Sequence, residues 1–252
     1  MAQKKEHKLV SAETGEQLKP GEKPQAAPNL KPAKELGNPK ALRIGAVCLW
    51  AAAILFEVLA VWRIFKIAKL SGAGIEVPGL QIGIIIGLIV LDLACVIIGS
   101  QLWKKANHID PASEANPTKF WLWNNMGVIV CVVAFVPLVI LMLANKDLDK
   151  KTKAICTVVA VIALLIGGLS GYDFNPVSAE QLDAAVEALG DEQVYWAPFG
   201  KVYHTHEDCS SLNQSETLTV GTVEQAVAAG RTRLCYFCAQ QDNITTVVTD
   251  GD

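Results

Sequence analysis

Four long apolar runs dominate the chain: residues 41–65, 80–103, 120–143 and 154–172. Each is apolar on every face, whereas a helix of a soluble bundle is polar on one face. Three have roughly the length needed to cross ~30 Å of hydrocarbon, and the fourth, the shortest, reaches it by continuing to Tyr172. Gly83, Gly87 and Gly99 punctuate the second run. Pro137 interrupts the third, which a membrane helix tolerates when neighbours satisfy the freed carbonyl. Trp62, Trp103, Trp121 and Trp123 stand at the ends of runs, where an interfacial aromatic belt is expected. The pattern predicts a mainly α fold: a four-helix transmembrane bundle followed by a small α+β domain, with the lipid bilayer as its first partner.

Outside the runs the pattern changes character. Residues 1–40 are rich in Lys, Glu, Pro and Gly and poor in large apolar side chains, so they are expected to be largely disordered. A hairpin around Thr14-Gly15 is possible there, though marginal alone. Pro20, Pro24, Pro28, Pro32 and Pro39 extend the segment towards the first run. Forty residues, mostly polar, precede that run, so no cleavable signal peptide is expected.

After the fourth run, residues 173–192 predict a linker helix. Ser178 and Gln181 form a capping box, and Gly190 marks the stop. Residues 193–240 read as a compact module. Val194-Tyr195-Trp196 and Lys201-Val202-Tyr203-His204 flank Pro198-Phe199-Gly200 as a hairpin. A further strand is expected over Thr217 to Val220, then a helix capped by Thr222 and Gln225 and ended by Gly230. Residues 241–252 read as an acidic flexible tail.

Charge separates the regions. Residues 1–43 carry nine Lys/Arg and five Asp/Glu, while residues 171–252 carry three and thirteen, a net of −10. Such an acidic region repels phosphate backbones and disfavours nucleic acid as a partner. Four spans put both termini on one side. The basic amino-terminal tail places that side in the cytoplasm, with the chain in the cell membrane. Lys/Arg near the span ends add little, favouring that orientation by only eight to seven.

Two acids interrupt the hydrocarbon: Glu57 slightly past the middle of the first run and Asp92 at the middle of the second. A charge there costs several kcal/mol, so each is neutral, paired, or facing a wet cavity. They raise the reading of a small transporter or ion-coupled protein. Protonated carboxyls bonded to neighbouring helices are the structural alternative. No inverted repeat relates the first two runs to the last two, which weakens transport.

The seven cysteines divide sharply. Cys48, Cys95, Cys131 and Cys156 fall one per apolar run, where a thiol acts as a small hydrophobe. Cys209, Cys235 and Cys238 make no even disulfide framework. Fewer than fifty residues around them supply too little core for stability without a metal, disulfides or a partner. Cys-x2-Cys holds two thiolates at two corners of a tetrahedron, and His204 with Cys209 can supply the others. His204, Cys209, Cys235 and Cys238 therefore form a candidate structural Zn2+ site, with His206, on the same strand face, as competing ligand. A redox pair is the alternative, but it normally sits in a βαβ setting that is missing here. Four protein ligands would close the metal to substrate, so the chain is expected not to be an enzyme.

The string Val194-Tyr195, Gly200-Lys201-Val202-Tyr203-His204, Cys209, Ala229-Gly230 and Cys235-x2-Cys238 resembles a small zinc-binding module. That module is appended to some bacterial secreted nucleases and competence-related proteins, and is distantly similar to the metal-binding domain of the Ada DNA-repair protein. The resemblance covers about a fifth of the chain. It implies His204 rather than His206 as ligand; separately, the module is read as a folded binding platform for a protein partner. Membrane-tethered nucleic-acid handling is suggested only by the company the module keeps. Ada-like methyl transfer requires four cysteines, and one corner here is His.

Overall fold

The computed structural model describes residues 7–18, 37–75, 79–190 and 192–244. The chain divides into two compact units, one made of Lys40–Lys104 with Trp121–Asp173, the other of the remaining segments.

The first unit holds most of four long helices, each long and apolar enough to cross a membrane: α1 (Pro39–Gly72), α2 (Gly79–Ile109), α3 (Pro117–Ala144) and α4 (Lys150–Gly171). Only 22–33% of the most apolar stretch of each helix is buried against protein. The rest faces outward as continuous hydrocarbon, a surface that a lipid environment covers and water does not. The helices overrun the apolar runs. α1 continues through Lys66 and Lys69 to Gly72, because hydrogen bonding does not stop where hydrophobicity does and Lys is a good helix former. At 34 residues it is about 50 Å long, well beyond the hydrocarbon thickness. α4 starts at Lys150, earlier than its apolar run, because the Asp149 carboxylate accepts the Thr152 N–H at 2.9 Å.

Small residues set the closest approaches. A Cβ on Gly171 would lie 2.8 Å from the Gly127 carbonyl carbon, and one on Gly127 would lie 2.7 Å from Ser100 Oγ. α3 and α4 therefore touch backbone to backbone, as small residues allow in membrane helices. Around this seam pack Phe135, Leu138, Met142, Ala160 and Ala163.

The aromatic belt expected from the sequence holds only in part. Trp62 and Trp121 are exposed. Trp103 is buried instead, its ring 5.3 Å from Trp50 and 5.6 Å from Trp123, with its indole N–H donating to the Trp123 carbonyl at 2.8 Å. A second cluster of the bundle core, with Ala46 and Trp50, has captured it because a partner for the indole N–H was within reach.

The second unit contains β1 (Lys8–Ser11), α5 (Ala179–Leu189), β2 (Val194–Trp196), β3 (Val202–Tyr203), β4 (Thr217–Gly221), α6 (Val223–Ala228), β5 (Arg233–Leu234) and α7 (Tyr236–Gln241). One sheet has the order β1-β4-β2, with β1 parallel and β2 antiparallel to β4. A second sheet pairs β3 with β5 in parallel.

Three expectations are corrected here. The expected disorder over residues 1–40 does not hold for Lys8–Ser11, which runs beside Thr217–Val220. The small hairpin forms, with Leu18 N–H donating to the Leu9 carbonyl at 2.8 Å, and it is sustained by β4 and by Leu9 and Ala12 packing on the core. Residues 19–36 lie outside the described residues. The strands flanking Pro198-Phe199-Gly200 pair only through Tyr195 and His204 and then diverge into different sheets, because each has a longer partner elsewhere. The segment after residue 240, read as flexible tail, continues as α7 to Gln241, with Asp242 hydrogen-bonded and Ile244 against the core. Residues 245–252 are outside the described residues.

The module is thus larger than residues 193–240. Val177, Ala185 and Leu189 join Val194, Trp196, Tyr203, Leu212 and Leu218 in one core, so α5 is part of the domain and not only a linker. Its capping box forms as read, as does that of α6. Gly230 adopts φ +83° and lets Arg231 N–H reach the Ala226 carbonyl at 2.9 Å, closing α6. The segment between α2 and α3 belongs to this unit: the Glu180 carboxylate accepts from the Ser113 hydroxyl and, at 2.9 Å, from the Glu114 N–H. β1, the α2–α3 segment and the carboxy-terminal region share one folded unit.

Candidate metal centre

Four short elements bring the Cys/His group together. His204 follows β3, its backbone fixed by paired bonds with Tyr195 at 2.7 and 2.8 Å. Cys209 begins a 3-10 turn, Ser210–Leu212, its carbonyl accepting the Leu212 N–H at 2.9 Å. Cys235 leaves β5 with its N–H on the Tyr203 carbonyl at 2.8 Å and caps α7, whose first turn carries Cys238. The order strand–turn–strand–helix is what Cys-x2-Cys requires: two thiols on one turn, with two more ligands from a neighbouring loop.

All four residues are buried, and their ligand atoms lie within 4.8 Å of one another. Cys209 Sγ is 3.9 Å from Cys235 Sγ, and Cys238 Sγ is 3.7 Å from His204 Nδ1. Tetrahedral coordination with metal–sulfur bonds of ~2.3 Å and metal–nitrogen bonds of ~2.0 Å gives edges of roughly 3.5–3.8 Å. The spacing fits a metal ion at the centre and is too long for disulfides, whose S–S distance is about 2.0 Å.

The electrostatics agree with a site that needs a cation. Burial holds His204 well below its usual value, down to about 4, and pushes the Cys209 thiol up to about 12, with the neighbouring thiols Cys238 and Cys235 adding to that rise. Without a metal, His204 and Cys209 are therefore neutral at physiological pH. Binding a divalent ion would deprotonate the thiols and release protons.

His206 is engaged elsewhere. Its Nε2 lies 2.7 Å from the Asp242 carboxylate, which also accepts from Thr205 Oγ1 at 2.5 Å. Partial burial raises Asp242, but the bonds from Thr205 and His206 and the charge of His206 outweigh it and leave the carboxyl below its usual range. Alternation along the strand put His204 and His206 on one face, but the chain has left β3 by His204, so the two rings part. Asp242 carried no sequence signal, because its role depends on how α7 ends.

Arg231 was likewise missed. Its guanidinium donates to the Pro198 and Ala197 carbonyls, the latter at 3.1 Å, tying the Phe199 turn to the loop after α6.

Glu57 and Asp92 are not part of this group. Glu57 is half-buried on α1, and Asp92 is buried on α2 with both carboxylate oxygens lacking a hydrogen-bond partner. No protein-family model, curated protein or solved structure matches the chain.

Proposed function

We propose that the chain is an integral protein of the cell membrane that carries, on its cytoplasmic side, a zinc-stabilised module serving as a binding platform for a protein partner. The carrying observation is the buried His204/Cys209/Cys235/Cys238 group at tetrahedral spacing. Three sulfurs and one imidazole are a soft donor set, and a tetrahedron of three sulfurs and one nitrogen selects Zn2+ over the oxygen-loving Ca2+ and Mg2+. The small Cys3His module described above has the same ligand order, which supports the reading.

A metal held by four protein ligands has no open position for substrate or water, so it would stabilise the fold rather than catalyse. The platform reading draws on exposed aromatics of the same module. Tyr236 and Phe237 stand between two of the ligands and are each 57% exposed, and Phe199 is 99% exposed at the tip of its turn. Aromatic side chains left in solvent on a rigid scaffold are the usual anchors of protein interfaces. The net charge of −10 over residues 171–252 counts against nucleic acid.

Metal analysis of the full-length protein in detergent tests this. One zinc per chain is expected, lost in the Cys235→Ala, Cys238→Ala double variant. Absence of bound metal in the parent ends the zinc reading. The side is tested separately by a Lys201→Cys variant in intact cells, where labelling by an impermeant thiol reagent from outside would refute cytoplasmic placement.

A further inference from the structure

The register between α1 and α2 gives the two intramembrane acids a shared address. Trp50 packs on Gly99 so closely that a Cβ there would lie 2.6 Å from Trp50 Nε1. α1 and α2 run antiparallel, as successive membrane-crossing helices do. Seven residues forward on α1 is Glu57, and seven back on α2 is Asp92. Seven residues make two turns, which return a side chain to the same face about 10 Å along the axis on both helices. The burial patterns agree. On α1, Ala53 and Ala60 are buried on either side of Glu57, and on α2 Ile89 and Val96 flank buried Asp92.

We propose that Glu57 and Asp92 form one proton-binding site inside the bilayer, with a proton held between two apposed carboxyls. Two carboxylates side by side in a low dielectric cannot both stay ionised, and no counter-charge is at hand. Residues 44–62, 80–103, 120–143 and 154–171 contain no Lys, Arg or His. The other titratable groups near Asp92 are the thiols of Cys95, on its own helix, and Cys131, on α3; the Cys131 thiol donates to the Leu164 carbonyl at 3.4 Å. Asp92, 1% exposed with both oxygens unpartnered, is the acceptor such a proton satisfies.

A metal cation fits less well. Hard cations take six or more oxygens, and the pair offers four. Ion sites in membrane proteins draw further oxygens from unwound helices, whereas α1 and α2 are continuous past both acids. Loading transfers one proton from water to a carboxylate oxygen, and the new O–H donates to the partner carboxylate. Release reverses both steps, and no electron moves.

The test is infrared spectroscopy of the full-length protein in lipid nanodiscs at pH 7, reading the C=O stretch of a protonated carboxyl. The parent is expected to show it, Asp92→Asn to weaken it and the Glu57→Gln, Asp92→Asn double variant to lose it. Glu57→Gln alone should move the band, because the partner of the remaining carboxyl becomes an amide; this variant stands in if Asp92→Asn fails to assemble. No band in the parent, an undiminished band in the double variant, an unmoved band in Glu57→Gln, or loss of the parent band on adding Na+ or Ca2+ at constant pH would each overturn the proposal. Zinc content is a separate readout, so this proposal and the metal-platform reading can fail independently.

Discussion

The bundle and the module bury polar groups by opposite means. The bundle has apolar side chains in excess, with one buried acid left without a hydrogen-bond partner at Asp92. The module has a core of its own and gathers four potential ligand atoms inside it, where each would be costly without the others. Burial of a polar group is tolerated only when something compensates it. In the bundle a proton suffices, because neutralising a carboxyl removes the charge. In the module a bound metal ion would extend the compensation to folding itself, by joining the four short segments that carry its ligands.

Removing the metal should separate the regions most completely. Structural zinc contributes about 10–16 kcal/mol in small modules. Chelation, or the Cys235→Ala, Cys238→Ala double variant, is expected to make residues 177–244 protease-sensitive while the helical circular dichroism of the bundle largely persists. Loss of both together would show that the two regions fold as one.

The converse perturbation is Gly171→Leu. Its side chain would have to enter a space where even a Cβ meets Gly127 backbone at 2.8 Å. Overpacking of this kind costs about 1–3 kcal/mol or more. The detergent-solubilised bundle should lose thermal stability while zinc content stays at one per chain.

Within the module, Leu9→Ala tests whether β1 belongs to the fold. A partly buried Leu in contact with the core should cost about 1–2 kcal/mol, less than a fully buried one. Hydrogen exchange at Ala12 N–H, bonded to the Val220 carbonyl at 2.8 Å, is the direct readout. His206→Ala should leave zinc bound, whereas His204→Ala should release it. The reverse pattern would exchange their roles.

The smallest effect concerns pH. The Ser113 hydroxyl and the Glu114 N–H hold the exposed Glu180 carboxyl at about 2, against an ordinary 4.5. A carboxyl lowered by folding stabilises the fold above its unfolded value and stops doing so as pH falls through the folded one. Protection of the Glu114 amide should therefore be full above about 4.5 and decline towards pH 2. A Glu180→Gln variant should show no such decline.

The two regions also differed in how openly the sequence displayed them. Four uninterrupted apolar runs admit few interpretations, so the helices were plain, and only their polar ends overran the runs. Trp103 was misplaced because position at a run end does not say which way an indole faces. The four ligands were legible because Cys-x2-Cys and His-x4-Cys are local spacings. The pairing of Lys8–Ser11 was obscured because its partner lies more than 200 residues away and the segment around it is largely polar. Asp242 and Arg231 depend on where α7 and α6 stop, which spacing does not encode.

The pairing of β1 with β4 has a consequence for the order of assembly. Residues 8–11 leave the ribosome about 200 residues before residues 217–220, which complete their ladder. At 5–20 residues per second the first strand waits roughly 10–40 s for its partner. All four helices long and apolar enough to cross a membrane are made in that interval. An odd number of crossings would leave the early strand and the late one on opposite faces of the bilayer, unable to meet. Closure of that ladder is thus a built-in record that insertion ended with the right parity.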